Sequence, residues 1–294
     1  MMMKHLLVSF PLLGLLLMSC GAAFKSATIT YDSISVKDSC VIKAGEVLGD
    51  YKLTFDYPTS GTEEQQTWIR QWLALETVDC ADSIAATPAT TAKAYKAAAD
   101  KVYKGKLDDM KAMAAFASKA YLTQYKKENE DFNYASNYSS DKNIRILFNA
   151  SNLITYLTTS YNYTGGAHGS SIKEFNSFSL TDNKVLTLND MIREADQPKV
   201  RAMIIAGLQD YFEIKTFNEL KNQLMVAEGC DTEQTIPFPI GNPGLTKKGI
   251  TFTYGQYEIA CYAAGMPEVT IPYKKIGLYL KPDLQLLLKD YLQK

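Results

Sequence analysis

Apolar and polar residues change period several times along the chain, and each change marks an element. Residues 28–36 alternate, with Ile29, Tyr31, Ile34 and Val36 separated by polar neighbours, and residues 51–57 repeat the habit, so both are expected as strands. Pro58, Thr59, Ser60 and Gly61 then break the chain. Thr62 to Gln65 offers a capping box, and Trp68, Ile69, Trp72, Leu73 and Leu75 follow at helical spacing, which predicts a helix over 63–76 with both tryptophans in the core. Residues 92–127 are rich in Ala and Lys, with Tyr95, Val102, Met110, Met113, Phe116, Tyr121 and Tyr125 recurring, which predicts two helices broken near Gly105.

From residue 131 the character turns to β. Residues 132–138, 143–149 and 152–163 are rich in aromatic and β-branched side chains and are expected as a meander. A strand over 172–180, a turn over 181–184 and a returning strand over 185–188 come next. Helical patterns occupy 188–194, 198–213 and 217–227; strands are expected near 236–240, 249–254 and 268–273, and a helix over 282–292 closes the chain. Strands and helices cluster rather than alternate strictly. The expected class is therefore α+β, mainly antiparallel sheet with helices packed on one face, in two intimately associated subdomains over residues 27–170 and 171–294.

The leader has its own logic. Lys4 and His5 give a positive start, residues 6–18 are apolar but for Ser9, Pro11 and Gly14, and the small residues Ser19, Cys20 and Gly21 come after them. A transmembrane helix needs about 20 apolar residues, so a secretory signal over 1–19, cut before Cys20, is the expectation. The run Leu17, Met18, Ser19, Cys20 resembles a bacterial lipobox, which implies that Cys20 carries lipid, that residues 20–26 form a tether, and that acyl chains hold the chain on a membrane. An ordinary signal peptide with Cys20 incidental is the alternative. No acidic residue directly follows Cys20, which favours the outer membrane, facing the periplasm.

Composition narrows the remainder. With 46% hydrophobic and 21% charged residues the chain is globular, and a net charge of −1 gives no electrostatic footprint for nucleic acid. Setting Cys20 aside, four cysteines remain, an even number suited to an oxidising compartment. Local pairing joins Cys40 to Cys80 and Cys230 to Cys261; the sequence does not choose among pairings, and buried free thiols are the alternative. None has the C-x-x-C spacing of a zinc site, so no metal or other cofactor is expected.

Two segments stand out chemically. In the first, Tyr163, Gly165, Gly166, His168 and Gly169 form a strand end running into a glycine-rich loop, which either lets a ligand approach the backbone or simply makes a tight turn. In the second, Tyr254, Tyr257, Glu258 and Tyr262 surround a glycine-flanked loop, where tyrosines serve either as recognition contacts or as half-buried sheet residues.

The order Y-T-G-G-A-H-G, then T-D-N-K-V-L-T-L-N-D-M, then Y-G-Q-Y-E-I-A-C-Y-A-A-G and T-I-P-Y resembles the paired domains found in the anti-sigma factor RsiV and beside the catalytic domain of the peptidoglycan deacetylase PdaC. The resemblance implies an α+β fold, with a PdaC-like first half and an RsiV-like second half. In RsiV the exported region binds lysozyme, so the resemblance implies a contact surface around Tyr257. The family tends to have proline where Cys261 stands, which implies a local partner such as Cys230. A PdaC-type deacetylase site needs clustered His and Asp, and with the leader removed His168 is the sole histidine, so that site cannot be assembled. Ser170 and Ser171 neighbour His168, but no G-x-S-x-G elbow exists, and no catalytic residue is assigned. The expected function is a lipid-anchored envelope binding protein whose ligand is a lysozyme-like protein or a peptidoglycan fragment. A wall-polysaccharide-modifying enzyme and a structural lipoprotein of an envelope complex are the alternatives.

Overall fold

The structure is a computed structural model describing residues 28–41, 48–78, 92–130, 137–150, 152–225 and 232–292. The leader, Cys20, the tether, Cys80 and Cys230 lie outside the described residues.

The first unit begins with β1 (Tyr31–Val41) and β2 (Leu48–Pro58), which pair antiparallel from Tyr31 opposite Pro58 to Val41 opposite Leu48. Alternation in β2 turns Tyr51, Leu53 and Phe55 into the core. The chain then enters α1 (Glu63–Val78), whose start is locked reciprocally: the Gln65 side-chain oxygen accepts from the Thr62 N–H at 3.0 Å and the Thr62 hydroxyl accepts from the Gln65 N–H at 3.2 Å. After α2 (Ala92–Val102) and α3 (Met110–Glu130), β3 (Tyr138–Ala150) returns beside β2 and parallel to it. A long crossover through three helices permits that direction where a short turn would not. β4 (Leu153–Tyr163), β5 (Ser170–Ser179) and the short β6 (Lys184–Val185) complete an antiparallel meander, giving the sheet order β1-β2-β3-β4-β5-β6.

The helices cover one face of this sheet. Trp68 and Trp72 of α1 meet Phe178 of β5 at centroid distances of 4.8 and 5.0 Å, and Trp72 meets Tyr156 of β4 at 4.9 Å. Burial of rings of this size contributes strongly to the stability of the first core.

In the second unit α4 (Leu188–Met191) ends where Ile192 turns extended and bridges Leu280. It is followed by α5 (Gln197–Tyr211) and α6 (Phe217–Gln223). β7 (Gly244–Leu245), β8 (Gly249–Thr253) and β9 (Glu268–Pro272) form an antiparallel three-stranded sheet, and α7 (Tyr273–Ile276) and α8 (Pro282–Leu287) close the chain. The second core draws in Phe148 and Leu153 from the large sheet. The Leu245 N–H also donates to the Ser177 hydroxyl at 3.0 Å, so the small sheet is docked on β5.

The α+β class with a mostly antiparallel sheet holds, with local differences. Residues 236–240 form no strand: Pro237 and Pro239 lack the N–H a ladder needs, and the chain there is irregular. The strand expected over 132–138 lies mostly outside the described residues, and β3 begins at Tyr138. The closing helix ends at Leu287 and continues as turns. The large sheet runs on through Val185.

Candidate functional site

The two chemically distinctive segments meet. The first is the β4–β5 hairpin loop. Gly165 and Gly166 hold φ of 90° and 88°, a region that side chains disfavour, and the Tyr163 hydroxyl donates to the Gly166 carbonyl at 3.0 Å. Gly169 is packed so closely that a Cβ would sit 2.5 Å from the Tyr161 ring and 2.7 Å from the Asn162 carbonyl oxygen.

The second segment leaves β8 at Tyr254. Glu258 organises the turn beyond it: one carboxylate oxygen accepts from the Gly255 N–H and the other from the Ile240 N–H, both at 2.6 Å. Inside this tight turn Tyr257 adopts φ of 62°, rare for a non-glycine residue, and its side chain is 55% exposed. A short turn over Tyr262–Ala264 then aims Tyr262 back at the hairpin.

The result is an aromatic cluster. His168 stacks on Tyr262 with centroids 3.9 Å apart and planes at 23°, and Tyr257 lies 5.8 Å from Tyr262. The Tyr262 hydroxyl donates to the Gly169 carbonyl at 3.1 Å, and the Gln256 side-chain oxygen accepts from the Ser171 N–H at 2.7 Å, so two polar pins join segments far apart in sequence. His168 Nδ1 lies 3.1 Å from the Gly169 carbonyl oxygen and Nε2 lies 3.5 Å from the Tyr257 hydroxyl. A carbonyl can only accept, so in the first of these contacts Nδ1 is the donor.

The cluster opens on a groove of about 1480 Å³ that runs along β5 and reaches α1 and α2 at its far end. His168, Gly169, Tyr257, Glu258 and Tyr262 all line it. Tyr163, Gly165 and Gly166 brace the hairpin instead. Tyr254 is fully buried and gives its hydroxyl to the Pro237 carbonyl at 2.8 Å; burial pushes its pKa far above the usual phenol range, and it belongs to the core.

Other groove residues carry charge and apolar surface that sequence patterning did not single out. Glu174 of β5 is exposed by area yet enclosed by the groove walls; that desolvation raises its carboxyl pKa, against the pull of Lys142. Lys173 pairs with Glu268 at 2.6 Å. Ile240, 90% exposed, stands at the wall with its N–H fixed by Glu258. The strand alternation of 172–180 was the available signal for Glu174, since it sets even-numbered residues on the helix-covered face with Phe178.

Cys40, half-buried on β1, and Cys261, exposed beside the cluster, are free thiols, so neither described cysteine is in a disulfide. Burial pushes the Cys40 thiol up, partly offset by Lys126. Among the described residues no group of His, Cys, Asp and Glu is placed to hold a metal ion, and no helix is long and apolar enough to cross a membrane.

Comparison with known proteins gives two family matches. Residues 77–171 match the family described as deacetylase PdaC, and residues 195–274 match a family described as a protein of unknown function, DUF3298. Functionally curated proteins give no significant match. Among solved structures, a DUF3298 family member from Bacteroides fragilis aligns with a TM-score of 0.61 at 20% identity, covering 90% of this chain and 98% of its own. A DUF3298 family protein from Pseudomonas aeruginosa aligns at 0.57 and 17% identity, covering 88% and 97%. At such identities the likeness establishes the fold, the same α+β architecture. PdaC-like domains indicate an extracellular or envelope protein. The chain carries a PdaC-matching segment followed by a DUF3298-matching one, the domain pair that its motifs resemble.

Proposed function

We propose that the protein is a lipid-anchored binding protein of the bacterial envelope, held through Cys20 on the outer membrane and facing the periplasm. Its ligand is a lysozyme-like protein or a peptidoglycan fragment, taken up at the aromatic end of the groove. The observation that carries this reading is the convergence of His168, Tyr257 and Tyr262 at the mouth of one open groove. Flat rings with polar tips, one of them held exposed in a costly backbone conformation, are suited to contact rather than to core packing.

Calorimetry with lysozyme and with purified muropeptides tests the binding. Micromolar binding to one of them, weakened at least tenfold by Tyr257→Ala, supports the reading, and no binding to either at high micromolar concentration overturns it. Labelling cells with a fatty-acid probe tests the anchor: the wild type takes the label and Cys20→Ser does not.

A second reading, a wall-polysaccharide-modifying enzyme, draws on Glu76 and Glu174 lining the same groove, with burial raising the Glu174 carboxyl pKa. Incubation with peptidoglycan and mass spectrometry decides it, an unchanged spectrum removing the enzyme.

A further inference from the structure

Along the groove the large sheet ends in an open edge. β6 covers β5 only at Phe178 and Ser179, with one more bond from the Leu186 N–H to the Ser177 carbonyl at 2.7 Å. Nearer the aromatic cluster, residues 170–176 have no strand hydrogen-bonded to them on that side among the described residues, although Gly244 of β7 packs against the Phe175 ring. Three bonds fix which backbone groups face outward. The Ser177 carbonyl and the Ser171 N–H both bond on the open side, to Leu186 and Gln256, whereas the Leu180 N–H bonds inward to the Asn152 carbonyl at 2.8 Å, on the β4 side. Backbone direction alternates along a strand, so Lys173 and Phe175 turn their N–H and C=O groups into the groove. Both residues line it, and among the described residues neither backbone makes a hydrogen bond on that side. Two donors and two acceptors repeating every second residue are what an added polypeptide strand requires.

The side chains flanking this edge define the occupant. Ile172, 42% exposed, and Glu174 line the groove on the helix side. The Glu174 carboxylate takes no hydrogen bond or ion pair among the described residues. Two neighbouring lysines bond elsewhere: Lys142 donates to the Glu76 carbonyl at 2.7 Å and Lys173 to Glu268. Lys101 of α2 also lines the groove, but no cation is bonded to the Glu174 carboxylate among the described residues, so a partner's lysine or arginine can pair with it.

We propose that the groove takes an extended segment of a partner protein as an additional strand on β5, hydrogen-bonded to Lys173 and Phe175, with a lysine or arginine set against Glu174 and an apolar side chain against Ile172. The inference rests on the binding reading above and deepens it by naming the ligand class.

The test uses the purified full-length chain in detergent micelles and fluorescent seven-residue peptides of alternating threonine and valine with a central lysine, followed by anisotropy. Two further peptides carry N-methyl groups on alternate residues, one in each phase. The proposal expects the parent peptide to bind and one methylated phase to lose at least tenfold while the other stays within about twofold, because only one phase faces the edge. Glu174→Gln weakens the lysine peptide about tenfold and leaves a glutamine peptide unchanged. Lys173→Pro, which removes one edge donor, binds about fivefold more weakly than Lys173→Ala. Equal loss in both phases, no loss in either, or no binding by the parent peptide overturns the strand mode. If lysozyme or muropeptides still bind through Tyr257 in that case, the proposed function stands and only this inference falls; if they too fail, both fall.

Discussion

Glu258 is the residue on which the shape of the candidate site depends, and its removal has a calculable cost. Its two oxygens accept from the Gly255 and Ile240 N–H groups at 2.6 Å each, and the turn they close holds Tyr257 at φ of 62°. Hydrogen bonds to a charged acceptor contribute about 1.5–3 kcal/mol each. Both amides belong to partly exposed loops, where water recovers part of that loss, so Glu258→Ala is expected to destabilise by about 2 kcal/mol. Glu258→Gln keeps one acceptor oxygen and loses about half as much. A left-handed tyrosine costs roughly 1 kcal/mol, so without its clamp the turn relaxes and Tyr257 leaves the His168–Tyr262 stack. Urea unfolding measures the stability series, and amide exchange at residues 240 and 255 reports whether the clamp has opened. If Glu258→Ala unfolds within about 0.5 kcal/mol of the wild type (a surface-like effect) with both amides equally protected, the carboxylate does not hold the site and the reasoning is wrong.

The same geometry sets other expectations. Tyr257→Gly relieves the strained φ and deletes the ring, so stability stays within about 0.5 kcal/mol while ligand binding falls, a split that calorimetry and urea unfolding resolve together. Gly169→Ala drives a Cβ against the Asn162 carbonyl oxygen, which cannot swing aside; a loss of about 1–3 kcal/mol and disappearance of the His168 ring-current shift by NMR are expected. The Tyr156 hydroxyl is buried without a partner among the described residues, so Tyr156→Phe keeps the ring against Trp72 and Phe178 and stabilises by about 1 kcal/mol, or about 2–4 °C in Tm. Burial raises the phenols of Tyr156, Tyr254 and Tyr273 above their unfolded value near 10. The unfolded chain therefore releases these protons first, and stability, complete below about pH 10, falls above it by up to about 1.4 kcal/mol per pH unit for each group. Tyr156→Phe removes one group's share of that slope in alkaline urea unfolding.

Much of the fold is written locally, and the parts that are not have physical reasons. α1 is legible because its cap and its apolar stripe agree: Thr62 and Gln65 lock the start, and Trp68 and Trp72 recur at the helical period. The parallel pairing of β2 with β3 is not legible, since the direction of a returning strand depends on how three intervening helices pack. Residues 236–240 alternate Ile236, Phe238 and Ile240 as a strand would, but the prolines between them cannot donate to a ladder. β7, two residues long, is too short to carry a period at all.

The site shows the same division. Both loops announce themselves by glycine and tyrosine, yet within the second loop composition cannot separate Tyr254, which turns into the core, from Tyr257 and Tyr262, which meet His168. What separates them is the docking of the small sheet on β5, fixed by the Leu245 bond to Ser177 and continued by the Gln256 and Tyr262 pins to the hairpin. Each of these contacts spans 68 to 93 residues of sequence, so no local window contains the groove. Glu174 and Ile172 become groove residues for the same reason: in β5 alone they are ordinary strand positions, and only the small sheet on one side and α1 and α2 on the other enclose them. The groove is thus a property of the interface between the two units, held by the Leu245, Gln256 and Tyr262 bonds that cross it.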